Sequence, residues 1–338
     1  MIRNILNTGA FDFEAGGHLE EVNFVYHTSG CRHGKVVWIC HALTANSDPE
    51  DWWPQMVGPG KVFDTEKYFI VCVNLLSSPY GSSGPASTNP KTGRPYLLDF
   101  PKTTIRDSVK GFELVRKALG IEHIDLLIGS SAGGFQAFEW AAIKPELFSH
   151  VVFSATSPAV SPWLAAQTET QRMAIEADPT FFEARDISGG GAGLRCARAQ
   201  ALISYRCYRG YELTQSEPDP DFLFAGRAAS YQRYQGQKLL SRGFDAYSYY
   251  YICLAVDSHN IGRGRGGVKA ALQGITTPAT VINIDSDIIF PPEEGRQWAQ
   301  YLPDARQVIL SSNFGHDGFL LETEQFTSVI KPILQCKF

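Results

Sequence analysis

Gly129-Ser130-Ser131-Ala132-Gly133 decides how this chain is read. The apolar run Ile124-Asp125-Leu126-Leu127-Ile128 precedes it and reads as a buried strand. Gly134-Phe135-Gln136-Ala137-Phe138-Glu139-Trp140 follows it and reads as a helix. Strand, G-x-S-x-G and helix, in that order, is the context of a nucleophile elbow. The turn is too tight for side chains at its flanks, so glycine sits there. Ser131 then projects at the mouth of the sheet, with the backbone N–H of Ala132 beside it. Small residues crowd many strand-to-helix turns, so the rest of the chain has to carry the assignment.

Outward from the elbow, short runs rich in Val, Ile and Phe recur at 36–39, 68–73, 124–128, 151–153, 279–284 and 307–310. Continuous rather than alternating apolarity fits strands buried on both faces of a mostly parallel sheet. Helical patterns lie between them. One covers 104–119, with Asp107 near its start and Gly120 past its end; others cover 291–301 and 322–334. This is the rhythm of a doubly wound α/β sheet. It breaks between Ser157 and Gly274, where helical patterns dominate at 163–176, 192–206, 223–240 and 245–255. The expected organisation is a core domain of residues 1–156 and 275–338 with a helical lid inserted at 157–274. Such a cap would shape a pocket and exclude water. Residues 77–95, rich in Gly, Pro, Ser and Thr, read as one long ordered loop.

The chain has 338 residues, 44% of them apolar, enough for one large α/β domain with an insertion or for two domains. The net charge is −5, with no basic run, which argues against nucleic acid as a partner. No stretch of about 18 apolar residues exists, so no membrane span is expected. The residues from Met1 to Asn7 lack the apolar core of a signal peptide, and a cytoplasmic location is expected. The seven cysteines are widely spaced, and the absence of C-x-x-C signals neither a zinc site nor a redox pair. No metal is expected.

A serine nucleophile needs a base to take its proton and a third group to hold the base. In the α/β-hydrolase order, the chain runs Ser, then Asp or Glu, then His. Of the eight histidines, only His150, His259 and His316 follow Ser131. His150 abuts the strand next after the elbow, too early for the base, and His259 falls in the helical insertion. His316 comes six residues after the last strand-like run, between Gly315 and Asp317-Gly318, in a loop suited to aiming a side chain. For the acid, the strand at 279–284 empties into Asp285-Ser286-Asp287. Asp287 lies further into the loop and is preferred; Asp285 is the alternative. An oxyanion hole needs two backbone donors. Ala132 supplies one, and Leu43, in His41-Ala42-Leu43-Thr44, the other. His41 itself reads as a core histidine.

Together these pieces resemble the homoserine O-acetyltransferase family of α/β-hydrolase-fold acyltransferases, over nearly the whole chain. The resemblance is carried by His41-Ala42-Leu43-Thr44, Asn74-Leu75-Leu76, Tyr80-Gly81-Ser82-Ser83-Gly84-Pro85 and Phe100-Pro101 with Thr104-Ile105-Arg106-Asp107. The elbow continues it with Gly134 and Glu139-Trp140. Gly193-Leu194-Arg195, Ser204-Tyr205-Arg206, Phe244-Asp245-Ala246 and Gly262-Arg263-Gly264-Arg265-Gly266-Gly267 follow within the insertion. Ser286-Asp287 and Gly315-His316-Asp317-Gly318-Phe319-Leu320 complete it.

The resemblance implies transfer of an acetyl group from acetyl-CoA to the hydroxyl of L-homoserine, a step toward methionine, through an ester on Ser131. No tightly bound cofactor is implied; acetyl-CoA is a co-substrate. It further implies that Arg198 holds the acceptor's carboxylate, with Tyr205 two helical turns further on the same face, that Asp317 holds its ammonium group, and that the protein is a homodimer. Ser130, Ala132, Ser77, Asn260 and Tyr247 depart from the family pattern. They leave open a succinyl donor or a serine acceptor. A serine esterase, with water as acceptor, is the rival class.

Overall fold

The computed structural model describes residues 1–224 and 226–336. An eight-stranded sheet forms the centre. In chain order its strands are β1 (Ile2–Asn7), β2 (Asn23–Gly30), β3 (Lys35–Cys40), β4 (Tyr68–Val73), β5 (Ile124–Ser130), β6 (Phe148–Ser154), β7 (Ala279–Ile284) and β8 (Ala305–Leu310). Their order across the sheet is β1-β2-β4-β3-β5-β6-β7-β8. The first two pairings, β1 with β2 and β2 with β4, are antiparallel; the rest are parallel. Each parallel strand carries an apolar run, long in the inner strands and shorter in β6 and in the edge strand β8. Every residue of β7 is buried, as is every residue of β4 after Tyr68.

β1 and β2 were not expected from the sequence. β1 alternates exposed and half-buried positions at the sheet edge, and β2 mixes Asn23, His27, Thr28 and Ser29 with its core residues Phe24 and Val25. An antiparallel edge needs only one apolar face, so it lacks the long apolar run by which the other strands are recognised.

Register sets the position of every loop that matters. Cys40 pairs with Gly129, Ser130 with Ser154, and Ile284 with Leu310. The segments after β3, β5, β6, β7 and β8 therefore all leave one rim of the sheet, its carboxyl edge, where ligands bind in open α/β sheets.

Helices cover both faces. α1 (Ile105–Ala118) begins with a capping box, in which the Asp107 N–H donates to the Thr104 hydroxyl and Asp107 accepts from the Thr104 N–H. α2 (Ala132–Ile143) is buried from Ala132 to Ala141, with Phe138 stacked on Phe153 of β6 at 3.7 Å between centroids. Glu139 of α2, 1% exposed, receives the guanidinium groups of both Arg106 and Arg265, tying the loop after the helical segment to the elbow helix.

Between β6 and β7 lie α3 (Pro162–Glu176), α4 (Gly191–Tyr205), α5 (Tyr208–Gln215), α6 (Gly226–Ser241) and α7 (Ala246–Asp257). α4 packs on α3 and α6, and α3 on α7. The helix expected over 223–240 starts at Gly226; Ala225 lies outside the described residues. α5 was not anticipated, because Tyr-Arg-Gly-Tyr-Glu-Leu-Thr-Gln carries no apolar period and buries only Gly210. α8 (Pro292–Ala299) and α9 (Thr323–Gln335) complete the fold near their expected positions. No helix among the described residues is long and apolar enough to cross a membrane.

The loop at 77–95 is ordered by its own bonds, including Ser77 N–H to Ser83 O at 2.8 Å. Ser77 adopts φ +67°, a conformation glycine takes without cost, and its hydroxyl bonds Thr103 at 3.0 Å. Tyr247 is fully buried against Phe181, its hydroxyl donating to the Phe181 carbonyl at 2.8 Å.

One glycine shows how closely the layers meet. A Cβ on Gly111 of α1 would stand 1.9 Å from the Phe24 ring of β2. Replacing Gly111 by Ala raises helix propensity by about 1 kcal/mol, yet overpacking costs about 1–3 kcal/mol or more. Gly111→Ala is therefore expected to lower the denaturant midpoint of unfolding; an unchanged or higher midpoint would refute the packing argument.

Candidate active site

Ser131 caps α2 with φ +56° and ψ −128°, a left-handed conformation that an L-residue holds only under constraint. The constraint is visible. A Cβ on Gly129 would lie 2.1 Å from the Gly133 carbonyl oxygen, and one on Gly133 would lie 2.1 Å from the Cys40 carbonyl oxygen. The Ser131 N–H donates to Ser154 O at 3.0 Å, and the Thr156 hydroxyl donates to Ser131 O at 2.9 Å. Turn, neighbouring strand and following loop thus clamp the serine from three sides.

His316 follows β8 in a short 3-10 turn, Gly315–Asp317, and is 3% exposed. Its Nδ1 lies 2.7 Å from Asp287 Oδ2, and its Nε2 lies 2.8 Å from Ser131 Oγ. A carboxylate only accepts, so Nδ1 carries the proton and Nε2 is left to accept from the serine hydroxyl. Asp287 is 3% exposed, and its other oxygen accepts from the N–H groups of Ile289 (2.8 Å) and Phe290 (3.1 Å). Burial alone would lower the imidazole pKa; the Asp287 carboxylate outweighs it, by charge and hydrogen bond, and Asp317 adds to the effect, so the net pKa is raised.

Asp285 does a different job. Its carboxylate accepts from the Ser312 N–H at 2.9 Å. The Ser286 hydroxyl donates to Ser312 O at 2.6 Å and accepts from the Gly315 N–H at 3.1 Å. The loop that supplies Asp287 therefore also aims the loop that supplies His316.

Three other histidines, His41, His259 and His150, are held in the packing of the fold. His41 is fully buried; its Nδ1–H donates to Ala42 O at 2.8 Å, and its Nε2 accepts from the Leu75 N–H at 3.1 Å. Burial holds its pKa down to about 4. With Gln136, whose amide donates to both His41 O and Ala132 O at 3.0 Å, it fixes the 41–44 segment against the start of α2. His259 stacks on Phe135 at 4.1 Å, and burial pushes its pKa down to about 3. His150 bonds the Thr280 hydroxyl of β7 at 2.9 Å.

A cavity of about 160 Å³ opens on Ser131 and His316, with Leu43, Arg198, Tyr205 and Asp317 in its wall. Ala132, the first residue of α2, lines a second, smaller cavity shared by Ser131 and Leu43. A helix's first N–H groups have no partner within the helix, so the Ala132 N–H is available beside the serine. Arg198 and Tyr205, seven positions apart, meet on one face of α4, the guanidinium carbon 5.2 Å from the ring centroid. The Arg198 Nη1 is buried without a hydrogen-bond partner. Asp317 pairs with Arg206 Nε at 3.1 Å. Burial raises its carboxyl pKa, while Arg206, His316 and Arg198 pull it down.

Reasoning from the sequence missed Arg206 as the partner of Asp317, and missed Trp52 and Arg242 in the cavity wall. Arg206 closes the family-like stretch Ser204-Tyr205-Arg206, which was the signal that could have found it; nothing in the local sequence of Trp52 or Arg242 marks either as a wall residue.

Comparison with known proteins gives the family and the fold. A family model described as alpha/beta hydrolase fold matches residues 35–323. The homoserine O-acetyltransferase of Chlorobaculum parvum (strain DSM 263 / NCIMB 8327) is 42% identical over 326 residues, covering 93% of this chain and 89% of that protein. The chain belongs to the homoserine O-acetyltransferase family. A homoserine O-acetyltransferase structure from Staphylococcus aureus is 28% identical, with a TM-score of 0.82 over 100% of this chain and 96% of that one. Esterase E22 superposes with a TM-score of 0.89 at 22% identity, over 99% of this chain and 100% of that one, a likeness of fold. This member of the homoserine O-acetyltransferase family is an enzyme with a mostly parallel α/β-hydrolase sheet.

A base must be neutral to accept a proton. With the imidazole pKa raised above its ordinary 6.5 by Asp287, activity is expected to fall on the acid side with a midpoint above that value. Asp287→Asn is expected to lower kcat by about 10⁴ and to move the residual midpoint down. A pH–kcat/KM profile flat from pH 5 to 8 would refute the assignment.

Proposed function

We propose that the chain transfers an acetyl group from acetyl-CoA to the hydroxyl of L-homoserine by a ping-pong route through acyl-Ser131. The observation that carries this reading is the Asp287–His316–Ser131 hydrogen-bond chain, opening into a cavity whose wall holds an unpaired buried guanidinium N–H on Arg198.

In the first half-reaction Ser131 Oγ attacks the thioester carbonyl and His316 Nε2 takes its proton. The carbonyl oxygen gathers negative charge facing the N–H groups of Ala132 and Leu43. A single donor of this kind is worth about 3 kcal/mol in the barrier. The C–S bond breaks, His316 returns the proton to sulfur, and CoA leaves as its thiol. In the second half-reaction His316 takes the proton of the homoserine hydroxyl. That oxygen attacks the ester, and the proton passes to Ser131 as the ester C–O bond breaks. Asp287 holds the imidazole in its tautomer and stabilises its charged form.

The acceptor is a zwitterion. A guanidinium suits its carboxylate by bidentate bonding, and Arg198 supplies one. Asp317 faces the ammonium group while Arg206 holds it in place. Residues 157–274 act as a helical lid on a core of 1–156 and 275–338, keeping water from the ester. Two such lids pair to form a homodimer. This is supported by the outward apolar surface between α4 and α6: Ile203 (59% exposed), Tyr208 (82%), Leu213 (61%), Phe222 (51%), Leu223 (83%) and Phe224 (76%). Light scattering is expected to give twice the chain mass, and Leu213→Asp with Leu223→Asp the mass of one chain; a monomeric starting protein would end the dimer proposal.

The decisive assay is CoA release from acetyl-CoA with and without homoserine. Release that depends on homoserine supports transfer; release that ignores it makes the protein a hydrolase. Arg198→Ala is expected to raise the homoserine KM by about 10²-fold or more, as a buried charge-assisted bond is lost, with a far smaller change for acetyl-CoA. Equal effects on both would remove Arg198 from the acceptor site.

A further inference from the structure

Ser131 stands where two cavities meet, and Leu43 and Tyr205 line both. The larger, described above, is lined by Arg198, Arg242, His316 and Asp317. The smaller, about 40 Å³, is closed by Phe135, Leu164, Gln167, Thr168, Gln171 and Phe290, among others, with no charged side chain in its wall. Leu164, Gln167, Thr168 and Gln171 follow i, i+3, i+4, i+7 spacing and form one face of α3.

The polar groups on that face are mostly occupied. The Thr168 hydroxyl bonds Asp257 at 2.6 Å, and Gln171 Oε1 accepts from the Tyr249 hydroxyl at 2.7 Å. Gln167 Nε2 is buried without a partner. One water needs about 10–15 Å³ of such space, so the chamber has room for a few heavy atoms beyond the serine oxygen. A carboxylate carried into it would be desolvated with no counter-charge, which is strongly unfavourable.

We propose that this uncharged chamber receives the carbon chain of the acyl group while it is esterified to Ser131, and that the Leu164–Gln171 face of α3 measures its length. The inference rests on the acyl-Ser131 reading above and deepens it. The acyl carbon takes the Ser131 oxygen in place of the thiolate, and its alkyl end turns toward α3, away from Arg198. Short neutral acyl groups fit. A succinyl group is too long, and its negative end meets only Leu164, the neutral amides, the hydroxyls and the aromatic rings. The separation of charge leaves the larger cavity for the leaving thiol and then the amino-acid acceptor.

The test is single-turnover acylation of Ser131, read by mass, with acetyl-, propionyl-, butyryl- and succinyl-CoA. p-Nitrophenyl acetate and butyrate serve as donors that need no CoA site. Rates are expected to fall along the neutral series, with about 10–200-fold per poorly accommodated methylene, and succinyl-CoA at the bottom. Leu164→Ala is expected to raise the butyryl-to-acetyl ratio about tenfold or more with both donor types, and Leu164→Phe to lower it. Gln167→Ala, on the same face but half-exposed, is expected to move the ratio in the direction of Leu164→Ala should Leu164 variants fold poorly.

Succinyl-CoA loading Ser131 as fast as acetyl-CoA would overturn the proposal. So would a ratio that ignores all three substitutions. Failure of the function proposed above looks different: a hydrolase would load Ser131 from acetyl-CoA and release CoA whether or not homoserine is present, and a protein that does not use acetyl-CoA would leave Ser131 unloaded by it, while in both cases the p-nitrophenyl esters still show the chain-length profile and its shift in the Leu164 variants.

Discussion

Everything at the rim of this sheet depends on one serine held at φ +56°. Relaxing that residue to an ordinary conformation would swing Oγ away from His316 and turn the first N–H of α2 elsewhere. Its strain, on the order of 1–3 kcal/mol, is balanced by contacts that no side chain is allowed to interrupt. The carbonyl oxygens of Gly133 and Cys40 occupy the space where side chains on Gly129 and Gly133 would begin. Two glycines and a Thr156 hydroxyl are therefore as necessary to the chemistry as the serine itself.

Around that point the structure is arranged in supporting pairs. His41 and Gln136 bind the 41–44 segment to the start of α2, so the backbone groups of Leu43 and Ala132 share one frame. Asp285 and Ser286 bind the loop after β7 to the loop after β8, so Asp287 and His316 share another. Neither frame uses a charged pair exposed to water, where ionic strength would weaken it. Both are built from hydrogen bonds between neutral groups or between a carboxylate and backbone N–H groups; those of Gln136 are buried, while Asp285 makes its bond from an exposed position on its loop.

Much of this was legible in the residues. The inner strands β3, β4, β5 and β7 announce themselves by long apolar runs, because both of their faces are buried, and β6 and β8 by shorter ones. The order Ser131, Asp287, His316 followed from topology, and the preference for Asp287 over Asp285 matches their separate hydrogen bonds. What stayed hidden has a common cause. β1 and β2 have one apolar face and look polar; α5 lies on the surface and needs no period; Arg206 and Asp317 are brought together by tertiary packing alone. The departures at Ser77 and Tyr247 looked like comments on the substrate. In the fold they sit in a turn and in the packing of the helical segment, away from the walls of either cavity at Ser131.

The walls of the two cavities come chiefly from different helices of the segment between β6 and β7. α3 gives the neutral face, while α4 carries Arg198 and leads directly into Arg206. A lineage could therefore redraw one wall by changing a handful of residues on a single helix while the other, and the sheet-borne hydrogen bonds beneath both, stayed as they were. In this architecture the two halves of a group transfer are modular, and novelty in one need not be bought with loss of the other.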